Sequence, residues 1–126
     1  MFESAELGHK LDKATFKKRE LELRGALLVA QFGLAERNDV SVVVLIGGVD
    51  GAGKGETVNT LNFWMDPRKI ETNAMGEPTQ EERERPRMWR FWRVLPPQGK
   101  IGIFFGSWYT APIVDRVSGK TDDADL

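Results

Sequence analysis

The stretch that most constrains the fold is Gly47 to Gly55, GGVDGAGKG, because of what stands on either side of it. Before it, Ser41 to Ile46 (SVVVLI) is short, continuous and valine-rich, the pattern of a β-strand covered on both faces. After it, Val58, Leu61 and Met65 recur at helical spacing and predict a helix to about Met65. A buried strand, a glycine turn and a helix in that order belong to an α/β protein with a parallel sheet.

The rest of the chain extends the pattern. From about Asp12 to Arg37, Phe16, Leu23, Leu27, Ala30 and Leu34 lie along one side of a helix whose first half is basic, with Lys13, Lys17, Lys18 and Arg19 read as a solvated face. Asp66-Pro67-Arg68 ends the second helix, because proline cannot continue the ladder. Lys69 to Met75 is a short strand. Thr79 as N-cap with Glu82 at the third helical position fits a capping box. The helix it opens, to about Leu95, must kink or restart at Pro86. Pro96-Pro97-Gln98-Gly99 is a turn, Lys100 to Phe105 the next strand, and Ile113 to Val117 one more helical turn before a frayed tail. The segments are a helical 1–40, an α/β unit at 41–118 and a tail at 119–126.

Composition narrows the partners. With 126 residues there is room for one domain at most, and 18 basic against 19 acidic residues leave a net charge of −1. Neither nucleic acid nor a membrane is expected as a partner on that balance, so any anion site must be built locally. The chain has no cysteine and a single histidine, His9, which excludes disulfides, thiolate metal sites and multi-histidine centres. MFESAELGHK lacks the apolar core of a signal peptide, and the run VVVLI is far too short to span a bilayer. A soluble, cytoplasmic protein is expected.

Gly48 to Gly55 matches GxxxxGK, a phosphate-binding loop. Glycines are needed because successive backbone N–H groups must turn inward around phosphate oxygens with no Cβ in the way. The helix that follows adds partial positive charge at its N-terminus. Gly48, Gly51, Gly53, Gly55 and Glu56 are therefore the candidate cradle, with Lys54 neutralising charge on a transferring phosphoryl group. Two departures carry information. Gly55 stands where Ser or Thr would hold Mg²⁺, and Asp50 puts a carboxylate inside an anion cradle. Asp50 is accordingly expected to bind Mg²⁺ or to accept a proton from an attacking phosphate; a turn residue capping the loop is the alternative.

Between Arg83 and Arg93 there are five arginines and one acid, Glu84. On a single helical wheel Arg83, Arg87 and Arg90 fall together, opposite Met88, Trp92 and Leu95, with Trp89 and Phe91 at the margins. Such a stripe suits a polyphosphate or nucleotide anion, although a solvated helix paired with Glu81, Glu82 and Glu84 is the plainer reading. The tryptophans are expected in the core rather than as a base-stacking platform.

The stretches GGVDGAGKGETVNTLNFWMDPR, EPTQEERERPRMWRFWRVLPPQGKIGIF and SWY resemble the polyphosphate kinase 2 family. The resemblance implies a P-loop kinase-like parallel sheet with flanking helices, and phosphoryl transfer between inorganic polyphosphate and a nucleotide, AMP or ADP, with Mg²⁺. It implies the phosphate cradle at Gly48, Gly53, Lys54 and Gly55, and a catalytic and metal-binding role for Asp50. Arg83, Arg87 and Arg90 fall in a segment similar to the family's and inherit only a possible anion-binding role. Residues 41–118 then stand for a partial phosphotransferase domain.

Where the family carries Asp-Arg before Ser-Trp-Tyr, this chain has Phe105 and Gly106, and where the family has Asn-Arg after the tyrosine it has Thr110-Ala111. A second carboxylate and two basic groups are thus missing. The sheet is also short, with two or three strands in place of about five. The chain is most similar to the first copy in tandem polyphosphate:AMP phosphotransferases, as the front of a longer protein that packs on a second copy or forms a homo-oligomer. A catalytic fragment, inactive alone, and a degenerate polyphosphate-binding or packing module are both consistent with this. An unrelated ATP-dependent P-loop NTPase is a third possibility.

Overall fold

The computed structural model of the protein describes Gly8, residues 10–48 and residues 51–119. Helix α1, Lys13–Arg37, begins where the Asp12 carboxylate accepts the backbone N–H groups of Ala14 and Thr15, both at 3.0 Å. It ends at Asn38, which takes the left-handed conformation common at helix C-termini. There follow β1 (Val42–Ile46), α2 (Lys54–Trp64), a 3₁₀ turn (Pro67–Lys69), β2 (Ile70–Ala74), the one-turn helices α3 (Gln80–Arg83) and α4 (Trp89–Trp92), β3 (Ile101–Phe105) and α5 (Thr110–Val117).

The three strands described are parallel in the order β1-β3-β2, with Ile46, Phe105 and Ala74 level at their C-terminal ends. β3 is the central strand, and its alternating side chains divide the core. Ile101 and Ile103 pack with Val58 and Met65 on the α2 side, while Phe104 meets the rings of Phe91 and Trp108 on the other. Right-handed crossovers require this division. The path from β1 to β2 and the return to β3 run in opposite directions across the sheet, so their helices cover opposite faces.

Several expectations change. β1 is not covered on both faces: it is an edge strand among the described residues, with Val42 exposed and the other four half-buried. Of the apolar stripe on α1 only Leu27 and Leu34 reach the core cluster, while Phe16 and Leu23 are more than half exposed. The reason is length. At 1.5 Å per residue α1 runs about 37 Å against about 16 Å for α2, so its first turns overhang.

The fully buried residue of α1 is Gln31. Its amide donates to the Asp66 carbonyl (3.0 Å) and accepts the Asp66 N–H (2.8 Å), clamping α1 to the end of α2. Pro86 does not kink a helix but divides it, and the second piece restarts in a new register. Phe91 is therefore buried, and Trp92 and Leu95 are exposed, the reverse of the single-wheel arrangement. The last helix begins three residues earlier than expected, at Thr110. His9 and the tail beyond Gly119 lie outside the described residues. No described helix is long and apolar enough to cross a membrane.

Candidate phosphate-binding site

The glycine loop runs from the C-terminal end of β1 into the first turn of α2. Gly51 and Gly53 have φ of 79° and 78°, a region that costs any residue with a Cβ, so the path depends on glycine at both places. Gly53 is the N-cap of α2 and provides no side-chain cap. The N–H groups of Lys54, Gly55 and Glu56 thus have no acceptor within the helix, whereas Thr57 already donates to the Gly53 carbonyl at 3.0 Å. A Cβ at Gly51, Gly53 or Gly55 would meet nothing within 4 Å, so the ground before these donors is open.

The Lys54 ammonium reaches back across the loop to the Gly48 carbonyl, 2.5 Å away, and so sits over the space that the loop encloses. Gly48 is the closest-packed of the set, with the Ala52 and Lys54 side chains 3.7 Å from where its Cβ would be. Glu56 is exposed in the first turn of α2. Asp50, expected as metal ligand and catalytic carboxylate, lies with Val49 outside the described residues. Among the described residues there is no group of three or more acidic or histidine side chains arranged to hold a metal.

Arg83, Arg87 and Arg90 do not form one stripe. Arg83 is exposed, and Arg87 is exposed with a long bond to the Trp108 carbonyl at 3.4 Å. Arg90 turns inward, donating to the Gly76 carbonyl at 2.8 Å, with its Nε 3.6 Å from the Glu82 carboxylate. That Nε is buried and makes no hydrogen bond. The new register after Pro86 separates the three.

Two arginines that the wheel did not single out stand beside them. The guanidinium groups of Arg85 and Arg93 lie 5.5 and 4.8 Å from the centre of the Trp89 ring. Their spacing of four on either side of an aromatic residue was the available signal. Arg90 and Arg93, with Thr79, Glu77 and Glu82, line a cavity of about 290 Å³ beyond the end of β2. This cavity and the glycine loop open at the same end of the sheet with β3 between them, roughly 10 Å apart at two strand spacings.

The end of β3 ties the two regions together. Met75 N–H donates to the Phe105 carbonyl (2.9 Å) and Gly106 N–H to the Ile46 carbonyl (3.2 Å). Phe105 packs against the core cluster. Gly106 has φ of 84°, and a Cβ there would come within 2.9 Å of the Met75 carbonyl oxygen. The position is built for glycine.

A family model described as polyphosphate kinase 2 matches residues 10–126. The chain belongs to the polyphosphate kinase 2 family. It is 56% identical over its whole length to the polyphosphate:AMP phosphotransferase of Pseudomonas aeruginosa, of which it spans 25%. Its fold matches a crystal structure of a polyphosphate kinase 2 from the same organism at a TM-score of 0.93 and 55% identity, covering 99% of this chain and 27% of that one. The polyphosphate kinase 2 of Arthrobacter aurescens matches at 0.82 and 29% identity, over 94% of this chain and 44% of that one. The chain therefore spans about a quarter of the length of the curated relatives it matches over its full extent. The polyphosphate kinase 2 fold assigned from the three quoted stretches is the fold observed, in the form of a partial parallel sheet with flanking helices.

Proposed function

We propose that this chain forms the phosphate-binding part of a longer enzyme that moves a phosphoryl group between inorganic polyphosphate and a nucleoside phosphate. The observation that carries the reading is the glycine loop. Two left-handed glycines aim three helix-terminal N–H groups at open space, with the Lys54 ammonium held across it. AMP is the favoured acceptor, a choice supported by the name of the 56% identical Pseudomonas protein.

In that reaction a phosphate oxygen of AMP attacks the terminal phosphorus of polyphosphate. The bridging P–O bond breaks, and the products are ADP and a chain one phosphate shorter. The N–H groups and Lys54 stabilise the charge gathering on the equatorial and leaving oxygens. Mg²⁺, shared between Asp50 and phosphate oxygens, would supply further charge neutralisation. Gly48, Gly51, Gly53, Gly55 and Glu56 shape the cradle. Arg83, Arg87 and Arg90 serve anion binding less directly, and Arg90 does so by way of the cavity beyond β2.

The test is Lys54→Ala in the full-length protein, reading ADP formed from AMP and polyphosphate. A fall of about 100-fold or more in kcat is expected, the usual loss when a preorganised charge contact is removed.

A second reading has its own observation. Phe105 packs into the core and Gly106 leaves no room for a side chain, where relatives by resemblance hold a metal-binding carboxylate and an arginine. In that reading the chain binds polyphosphate, or packs on an active copy, without transferring phosphate. Unchanged turnover in Lys54→Ala, with polyphosphate binding by this chain lost in the same variant, would favour it.

A further inference from the structure

Helix α1 carries a second apolar stripe that the fold does not use. On the side away from Leu27, Gln31 and Leu34 lie Leu21, Gly25, Val29 and Phe32, spaced by four, four and three, and so on one line of the helix. Leu21 and Val29 are 72% and 73% exposed, and Phe32 is 47% exposed. Gly25 stands at the midpoint of the stripe, exposed, with nothing within 4 Å of its missing Cβ. Lys18 and Glu36 continue the line at either end, both exposed.

We propose that this face is the contact surface of a symmetric homodimer, in which two α1 helices cross antiparallel at Gly25. The argument is one of self-complementarity, which a two-fold contact demands. With Gly25 on the axis, Leu21 of one subunit meets Val29 of the partner subunit, four residues to either side. Lys18 meets Phe32 of the partner subunit, seven to either side. That pairing lays the lysine stem along the ring and its ammonium near the ring face, one helical turn from Glu36 of the partner subunit. Glycine at the crossing lets the two backbones approach closely, and small residues at such crossings are what close helix packing needs. A single helix with a glycine in the middle of an exposed face otherwise loses stability for nothing.

Two substitutions separate this from a merely structural role. Val29→Lys puts like charges across the axis and should convert a dimer in sedimentation velocity to a monomer with unchanged far-ultraviolet circular dichroism. Gly25→Leu should raise Tm, because leucine favours helix, and yet weaken association at least about tenfold by separating the crossing. The chain has no cysteine, so Gly25→Cys adds a unique thiol. It should oxidise to a disulfide-linked dimer far faster than Arg19→Cys, which lies off the stripe. A monomeric parent chain, or a dimer indifferent to Val29→Lys, overturns the proposal. So does a longer parent protein that stays monomeric and loses Tm on Val29→Lys, which would place the stripe under its own chain.

Discussion

Gln31 is 1% exposed, and both ends of its amide are committed to the backbone of Asp66. Gln31→Leu would keep the size and remove both bonds, leaving a part-buried N–H and C=O unpaired. At about 1–3 kcal/mol for each orphaned group, a loss of about 2–5 kcal/mol is expected, measured as a lower urea midpoint with an unchanged slope. Nothing local announces this residue. It is a polar side chain inside an apolar stripe, and its partner is 35 residues away, so only its place between Leu27 and Leu34 was a clue. Gly106 is the opposite case, since its departure from the family's Asp-Arg was visible at once. What the sequence does not carry is the Met75 carbonyl beside it. Gly106→Ala would force a Cβ to 2.9 Å from that oxygen at φ of 84°. A destabilisation of about 1–3 kcal/mol is expected in thermal unfolding.

Among the elements, those with local punctuation were legible to within a residue or two: Asp12 and Asn38 around α1, the glycine loop ahead of α2, Pro67 after it. The capping box is present as read, with Thr79 accepting the Glu82 N–H and Glu82 accepting that of Thr79. Thr79→Ala should cost about 1 kcal/mol in chemical denaturation. The segment after it was misread because a helical wheel has meaning only while the helix is unbroken, and Pro86 ended that continuity. The 3₁₀ turn after α2 offers a pH test. The Arg68 guanidinium, and next the Arg68 N–H, hold the Asp66 carboxyl down at about 2 from 3.8. The unfolded chain therefore takes up a proton here at higher pH than the folded one. The stabilisation is complete above the unfolded value and is lost as pH falls through about 2. Asp66→Asn should flatten the acid limb of a stability–pH curve between those values, and Arg68→Ala should shift it the same way.

At the scale of the molecule, parallel strands and flanking helices were legible from the strand–loop–helix unit, but strand order was not. Order depends on which neighbours a strand finds, and VVVLI reads identically at an edge or in the centre. The order found, β1-β3-β2, leaves the first two strands without any mutual pairing. β3 holds them together through Ile103 and Phe104, both fully buried. Ile103→Ala should cost about 2–5 kcal/mol and weaken polyphosphate binding by a loop to which Ile103 contributes no group. The order also has a kinetic side. Val42 meets Ile101 and Ile46 meets Phe105 across some sixty residues of chain, so the sheet cannot begin until its last strand arrives. The helix that follows the glycine loop can coil early by itself. In refolding, far-ultraviolet signal should thus appear well before the ability to bind a phosphate chain, and a nascent polypeptide that has exposed the whole loop but not yet β3 would carry the motif without the grip.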